Sequence, residues 1–219
     1  MATFKTEGII VQRRNFDESG RLLTILTRDH GKILAIAKGA RKLTSRKGAS
    51  VELFNHCKFL IASGKSLGIV IEVQVVKHYP NLKSKLSKVG QGYLVLELID
   101  KFCAQNIEVP QVFDLVKETL EVLERPITYP QRKNVILAFK YRLMLLLGFA
   151  APHMFGLREF PRHFGLTDLS KVAFLRPIDR EIKLIERKID ELIEKTVESR
   201  INGNVFLGQL ENLARVPNR

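Results

Sequence analysis

The hydrophobic period of this chain changes once, at His78-Tyr79-Pro80-Asn81, and that change limits what it can fold into. Before it, apolar residues come in five short runs, at 4–13, 22–27, 32–37, 53–62 and 68–76. In the second run Leu23, Ile25 and Thr27 alternate with Leu22, Thr24 and Leu26, which is the period of a strand. Asp29-His30-Gly31 and Ser63-Gly64-Lys65-Ser66 join neighbouring runs with turn chemistry, and Gly31 is suited to positive φ. Five short strands in so few residues fit a small β-barrel, which also removes the edge hazard of apolar strands.

Beyond Pro80 the spacing becomes helical. It predicts helices over 89–103, 109–123, 132–147 and 178–197, and a short last one over 207–214. In the third, Val135, Ile136, Phe139, Leu143, Leu146 and Leu147 fall on one side, Lys133, Lys140 and Arg142 lie elsewhere, and Gly148 ends the run. Residues 149–177 carry Pro152, Pro161 and Pro177 and read as irregular. The expected class is α+β: a five-stranded barrel module over 1–80 and a mostly α-helical domain over 81–219.

Charge follows the same division. Residues 1–80 hold 14 Lys and Arg against 6 Asp and Glu, a net +8, and the remaining 139 residues hold 22 against 17, a net +5. The densest part is KGARKLTSRK, Lys38 to Lys47, directly after a strand-like run and with no acidic residue. A positive excess biases partners towards polyanions. Gripping a phosphate backbone needs several cations that each neutralise a phosphate and release counterions. Arg13, Arg14, Arg21, Lys38, Arg41, Lys42, Arg46 and Lys47 are the candidate phosphate contacts, and Gly39 would let the loop backbone approach a strand closely. A solvated basic loop is the competing reading. Among aromatics, Phe54 and Phe59 lie in strand patterns and read as core, whereas Phe16, between Asn15 and Asp17, is the better-placed stacker.

Catalytic chemistry finds no foothold. Asp17 and Glu18 are adjacent in a turn, and adjacent carboxylates rarely converge on one substrate; orienting Arg21 or capping the turn is the simpler role. The histidines form neither HExxH nor a triad-like setting, Ser19, Ser45 and Ser50 lack a nucleophile elbow, and Gly64-Lys65-Ser66 lacks the upstream glycine of a P-loop. Cys57 and Cys103 are isolated and read as buried structural thiols in a reducing compartment. The start, MATFKTEGII, is no signal peptide. The longest apolar stretch, Leu143 to Ala151, is about half a membrane span. A cytosolic, non-enzymatic protein without cofactor or membrane contact is expected.

The stretch GIIVQRRNFDESGRLLTILTRDHGKILAIAKGARKLTSRKG resembles the opening of the bacterial RecO family of DNA repair and recombination mediators. The first strand, the DESGRLLTILT segment, the HGK turn and the AKGAR loop carry the resemblance, and LFNHCKFLIASGKSLGIVIEVQVV is similar in placement to the later strands. The resemblance implies an OB-fold barrel followed by a helical domain, and no catalytic centre. It implies binding of single- and double-stranded DNA, annealing of complementary strands, and help in loading recombinase onto strands coated by single-strand-binding protein, together with the partner RecR. It also implies that the acidic, apolar tail of single-strand-binding protein docks on the helices. Arg132, Lys133, Lys140 and Arg142 are the candidate cations for that tail.

One departure stands out. Many members hold a four-cysteine zinc site in the helical domain, whereas here no cysteine follows Cys103, and His153 and His163 are the only histidines nearby. Structural zinc needs about four ligands. No zinc is therefore expected, and packing of Phe155, Leu157, Phe160, Phe164 and Leu166 would have to hold 149–177 instead. The rival readings are an OB-type RNA-binding factor in translation or ribosome assembly, and a metal-dependent nuclease, which would require a carboxylate cluster that the sequence lacks.

Overall fold

The computed structural model describes residues 2–64, 67–151, 164–165, 167–175, 179–198 and 200–215. Five strands, β1 (Thr3–Phe16), β2 (Gly20–Thr27), β3 (Lys32–Ala37), β4 (His56–Ala62) and β5 (Gly68–Lys77), close into a barrel in the order β1-β2-β3-β5-β4. Four seams are antiparallel. The β3–β5 seam is parallel and short, with Ala35 opposite Gly68 and Ile36 opposite Ile69. This is the expected OB-type barrel, and its strands fall where period two put them.

Alternation builds the interior. Ile10, Leu23, Ile25, Ala35, Phe59, Ile61 and Val70 meet in one cluster, all nearly or wholly inaccessible. Burying each large member contributes about 1.5–3 kcal/mol. Seven helices follow among the described residues: α1 (Pro80–Ser84), α2 (Leu86–Phe102), α3 (Pro110–Glu124), α4 (Tyr129–Leu146), α5 (Leu169–Val172), α6 (Asp179–Val197) and α7 (Asn202–Arg215). No helix among the described residues is long and apolar enough to cross a membrane.

The chain forms two compact units. The first is Met1–Pro80 with Leu96–Lys117, and the second is Asn81–Val95 with Glu118–Arg219. Within the first, the barrel is tied to the last turn of α2 and to the segment after it. Lys32, 7 % exposed, donates to the backbone oxygen of Asp100 and lies 3.3 Å from its Oδ1, and Gln12 Nε2 donates to Oδ2 at 2.6 Å. Asn106 N–H donates to Lys32 O at 3.0 Å. The β2–β3 turn lies so near this segment that a Cβ on Gly31 would sit 2.0 Å from Ile107 O. Gly31 has the positive φ, +65°, that the sequence called for. Both constraints demand glycine, one conformational and one steric.

In the second unit α4 is buried nearly all round. Arg132, Val135, Ile136, Leu137, Ala138, Phe139, Lys140, Tyr141, Leu143 and Met144 are all enclosed, so the expected charged outer face is absent, and Leu146, expected inside, is exposed. Tertiary packing on several sides overrides a one-sided pattern. In α6 Ile185, Ile189 and Ile193 form the buried stripe that the spacing predicted. Helix α7 begins five residues earlier than expected. A Cβ on Gly203 would lie 2.9 Å from the Leu94 backbone, so this glycine serves close helix packing. Of the residues expected to hold 149–177, Phe164 is buried, while Phe155, Leu157, Phe160 and Leu166 lie outside the described residues.

Gly31→Ala should cost more than about 2 kcal/mol of stability, measured by chemical denaturation, because strain and a backbone clash combine. Both cysteines are enclosed, Cys57 fully and Cys103 to 4 % exposure. Burial pushes the Cys103 thiol up to about 11; Lys32 opposes this and Asp100 adds to it. With so small a thiolate fraction, on the order of a thousandth at pH 8, native protein should resist alkylation by iodoacetamide and react only on unfolding.

Candidate nucleic-acid interface

The loop between β3 and β4 spans residues 38–55 and is fixed at both ends by apolar anchors. Ala40 and Val51 belong to the barrel's core cluster, and Phe54, at φ 71°, is also buried. Asn55 is fully enclosed, and its Nδ2 donates to the carbonyls of Ala49 and Ser50, each at 3.0 Å. Phe54 N–H donates to Ile10 O, and Ile10 N–H to Asn55 O, both at 3.1 Å. A third tie is Arg41 N–H to Ser19 O at 2.9 Å, which holds the loop against the β1–β2 turn. Between these anchors the loop turns outward, beginning at Gly39 with φ 69°.

The eight cations proposed from sequence fall into three environments. Lys38, Arg41, Lys42 and Arg46 project from the loop into solvent, and Arg14, near the end of β1, is also exposed. Arg41 Nη1 additionally donates to the carbonyls of Asp17 and Glu18, at 3.3 Å each, so its guanidinium is oriented along the β1–β2 turn while the residue stays exposed. Lys47 is half-buried and donates to Val70 O at 3.0 Å, which joins the loop to β5. Arg13 and Arg21 both reach Glu52 Oε1, at 2.7 Å each. Their register, Arg13 opposite Leu23 and Arg21 opposite Asn15, puts them beside each other at one barrel end.

Glu52 was not foreseen. It lies 31 residues beyond Arg21, and no local pattern links them; Asp17 and Glu18 do not hold the Arg21 side chain. The loop itself carries five basic residues against this one acid, so a net +4 remains. Register brings the ends of β1 and β3 and the start of β2 together: Asn15 faces Arg21, and Arg21 faces Ala37, immediately before Lys38. Arg14, Arg21, Lys38 and the loop therefore share one end of the barrel. From there Arg46 and Lys47 continue into a groove of about 720 Å³ of mixed charge, which Lys5 and Lys58 line together with Glu7, Asp29 and Glu72.

Aromatic side chains contribute little to this surface. Phe54, Phe59 and Tyr79 are buried, Phe4 packs edge-on against His30 at 4.4 Å, and Phe16 is half-buried at the end of β1. The arrangement suits a ligand held through its phosphates rather than through stacked bases.

The four helical cations are placed differently. Arg132 is 6 % exposed; its Nε donates to Gln91 Oε1 at 2.8 Å and its Nη1 to Ile127 O at 2.9 Å. Burial holds the pKa of its guanidinium below the ordinary value, and Tyr129 opposes this. Lys140, 3 % exposed, donates to Asp190 Oδ1 at 2.7 Å and to Asn204 Oδ1 at 2.9 Å. Arg142 donates to Phe164 O at 2.8 Å and also to Thr167 O. Only Lys133 of these four has a substantially accessible side chain, and Glu186 lies 3.9 Å from it. The four do not form one cationic rim. Lys133 and Lys140 do line a pocket of about 270 Å³ with Leu94, Ile136 and Leu207, but their partners Glu186 and Asp190 line it too. Among the described residues no group of three or more His, Cys, Asp and Glu could hold a metal ion, and His153 and His163 lie outside them.

Comparison with known proteins agrees with this architecture. Residues 1–79 match the model of the recombination protein O N terminal, and residues 84–155 that of the recombination protein O C terminal. A DNA repair protein RecO of Symbiobacterium thermophilum is 29 % identical over 149 residues, 68 % of this chain and 58 % of the relative. One from Moorella thermoacetica is 33 % identical over 147 residues, 67 % and 54 % of the two chains, and one from Roseiflexus is 35 % identical over 120 residues, 55 % and 42 %. The chain thus spans about half the length of the curated relatives it matches. With both family models matched in succession, over the barrel and then over the helices, the chain belongs to the recombination protein O family.

Proposed function

We propose that this chain is a DNA repair and recombination mediator that binds single- and double-stranded DNA without cleaving it. It promotes annealing of complementary strands and assists recombinase loading on strands coated by single-strand-binding protein, acting with RecR. Residues 1–80 carry the nucleic-acid contacts and residues 81–219 the protein contacts. The observation that carries this reading is the anchored loop with Lys38, Arg41, Lys42 and Arg46 exposed beside Arg14. Family membership supports it: relatives bear the name DNA repair protein RecO.

The mechanism is electrostatic. Two strands repel each other through their phosphates, and a cationic surface that neutralises part of that charge lowers the barrier to their meeting. Because the loop is held at Ala40, Val51 and Asn55, its cations stand ready without a large ordering cost on binding. Contacts to phosphate carry no sequence information, so low sequence preference follows. In the helical region, Lys133 and Lys140 share their pocket with Glu186 and Asp190, so an acidic, apolar peptide tail would be held chiefly by the apolar walls, with Lys133 as the accessible cation.

Arg41→Glu with Lys42→Glu should abolish annealing and low-salt DNA binding while circular dichroism stays unchanged; unaltered affinity by anisotropy would remove the loop from the mechanism. Replacing the same two residues by Ala should flatten the slope of log affinity against log salt on single strands by about 1.4. Competition with RNA of equal length tests the RNA-binding alternative. For the helices, Lys133→Glu should weaken binding of the tail peptide of single-strand-binding protein without unfolding. Lys140→Ala should instead lower stability by about 2 kcal/mol, since it leaves Asp190 and Asn204 without their donor.

A further inference from the structure

Phosphate contacts alone do not account for the residue at the apex of the basic loop. Leu43 is 106 % exposed, as open as a leucine in an extended peptide. It is not on a free tail. Lys42 N–H donates to Gly39 O at 3.2 Å, and Ser45 N–H donates to Lys42 O at 2.9 Å, so two successive turns hold Leu43 outward. Lys47 N–H donates to Ser45 Oγ at 3.2 Å and steadies the descending side. Arg41, Lys42 and Arg46 surround it, all exposed.

A single exposed leucine needs no explanation by itself. Here it is the sole large apolar side chain on the exposed part of the loop, it stands at the apex, and cations flank it on both sides. That composition fits a ligand with a polyanionic exterior and an apolar interior. Nucleic acid has this character wherever its bases can be parted: phosphates outside, base faces within. Apolar wedges flanked by Arg and Lys open base steps in this way, at a cost of a few kcal/mol per step in duplex and less in single strands or mismatches.

We propose that Leu43 is a wedge that enters between adjacent bases of a strand held by the surrounding cations. This rests on the DNA-binding reading above and adds a base contact to it. Arg41, Lys42 and Arg46 position the backbone, and Leu43 parts the stack. The preferred ligand is then a single strand, or a duplex end or mismatch, over intact duplex. Parting the bases leaves their pairing edges open to a complementary strand.

The test uses the full chain and a single-stranded oligonucleotide carrying 2-aminopurine, which brightens when unstacked. Wild type should raise fluorescence on binding. Leu43→Ser should keep low-salt affinity within about twofold and an unchanged salt slope, because the phosphate contacts remain. Its fluorescence per bound complex should fall to near the free-strand level, and Leu43→Met should restore it. Equal brightening by Leu43→Ser, no brightening by wild type, or a fall in affinity with unchanged brightness per complex would each overturn the wedge. Failure of wild type to bind any DNA would instead overturn the parent reading. An arm with anionic phosphatidylserine vesicles covers the lipid alternative: binding that depends on Leu43 there, without unstacking of DNA, would assign the apex to a membrane surface and overturn the proposal.

Discussion

The parallel seam between β3 and β5 is the constraint from which the candidate site follows. Antiparallel neighbours can be joined by a tight turn, and β1–β2, β2–β3 and β4–β5 are joined by short connections of that kind. Strand β3 pairs with β5, not with the strand that follows it in sequence, so the chain must cross one end of the barrel to reach β4. The crossing takes residues 38–55. Its two ends sink Ala40, Val51 and Phe54 into the interior, and the middle remains outside. A long loop without internal strands is ordinarily adaptable; this one is pinned by apolar anchors and by the amide of Asn55. The topology thus delivers a stiffened cationic projection at one end of the barrel.

Charge is managed with equal economy. Of the eight candidate cations of the barrel, Arg14, Lys38, Arg41, Lys42 and Arg46 are exposed and Lys47 donates to Val70 O, but Arg13 and Arg21 share a single carboxylate. Two guanidinium groups close together would repel, and Glu52, from the crossing loop, holds them beside each other. That carboxylate also links the loop to β1 and β2. Such partly exposed pairs contribute about 1 kcal/mol or less each, so their main effect is on position rather than stability. In the second unit the balance differs: Arg132 and Lys140 are enclosed and fully engaged by neighbouring oxygens, and they specify how the helices pack.

Much of this was legible in the sequence because period two and turn glycines are local signals. The strands 22–27, 32–37 and 68–76 agree closely with β2, β3 and β5, and Gly31 has the positive φ expected of it. The basic loop was legible for the same reason: its charges are contiguous. What escaped was long-range. Glu52 acquires meaning only when β1 and β2 bring Arg13 and Arg21 beside it. Lys140 looked like a surface charge because its acceptors lie 50 and 64 residues away. The early start of α7 escaped too, because the close approach of Gly203 to Leu94 cannot be read along the chain. Leu43 was visible as an apolar residue inside a basic run, but its outward direction is set by turns that only the folded loop defines.

The ties between Lys32 and Asp100 bear on how this barrel can be handled as a fragment. A cut after Pro80 would remove the acceptors of a lysine that is almost wholly enclosed, along with the Ile107 backbone that lies against Gly31. Without that cover the β2–β3 turn loses the contacts that fix it, and the barrel surface beneath is laid open to water. The smallest self-sufficient piece therefore runs well into α3, and expression boundaries drawn at the end of the last strand would yield a damaged barrel even though every strand was retained.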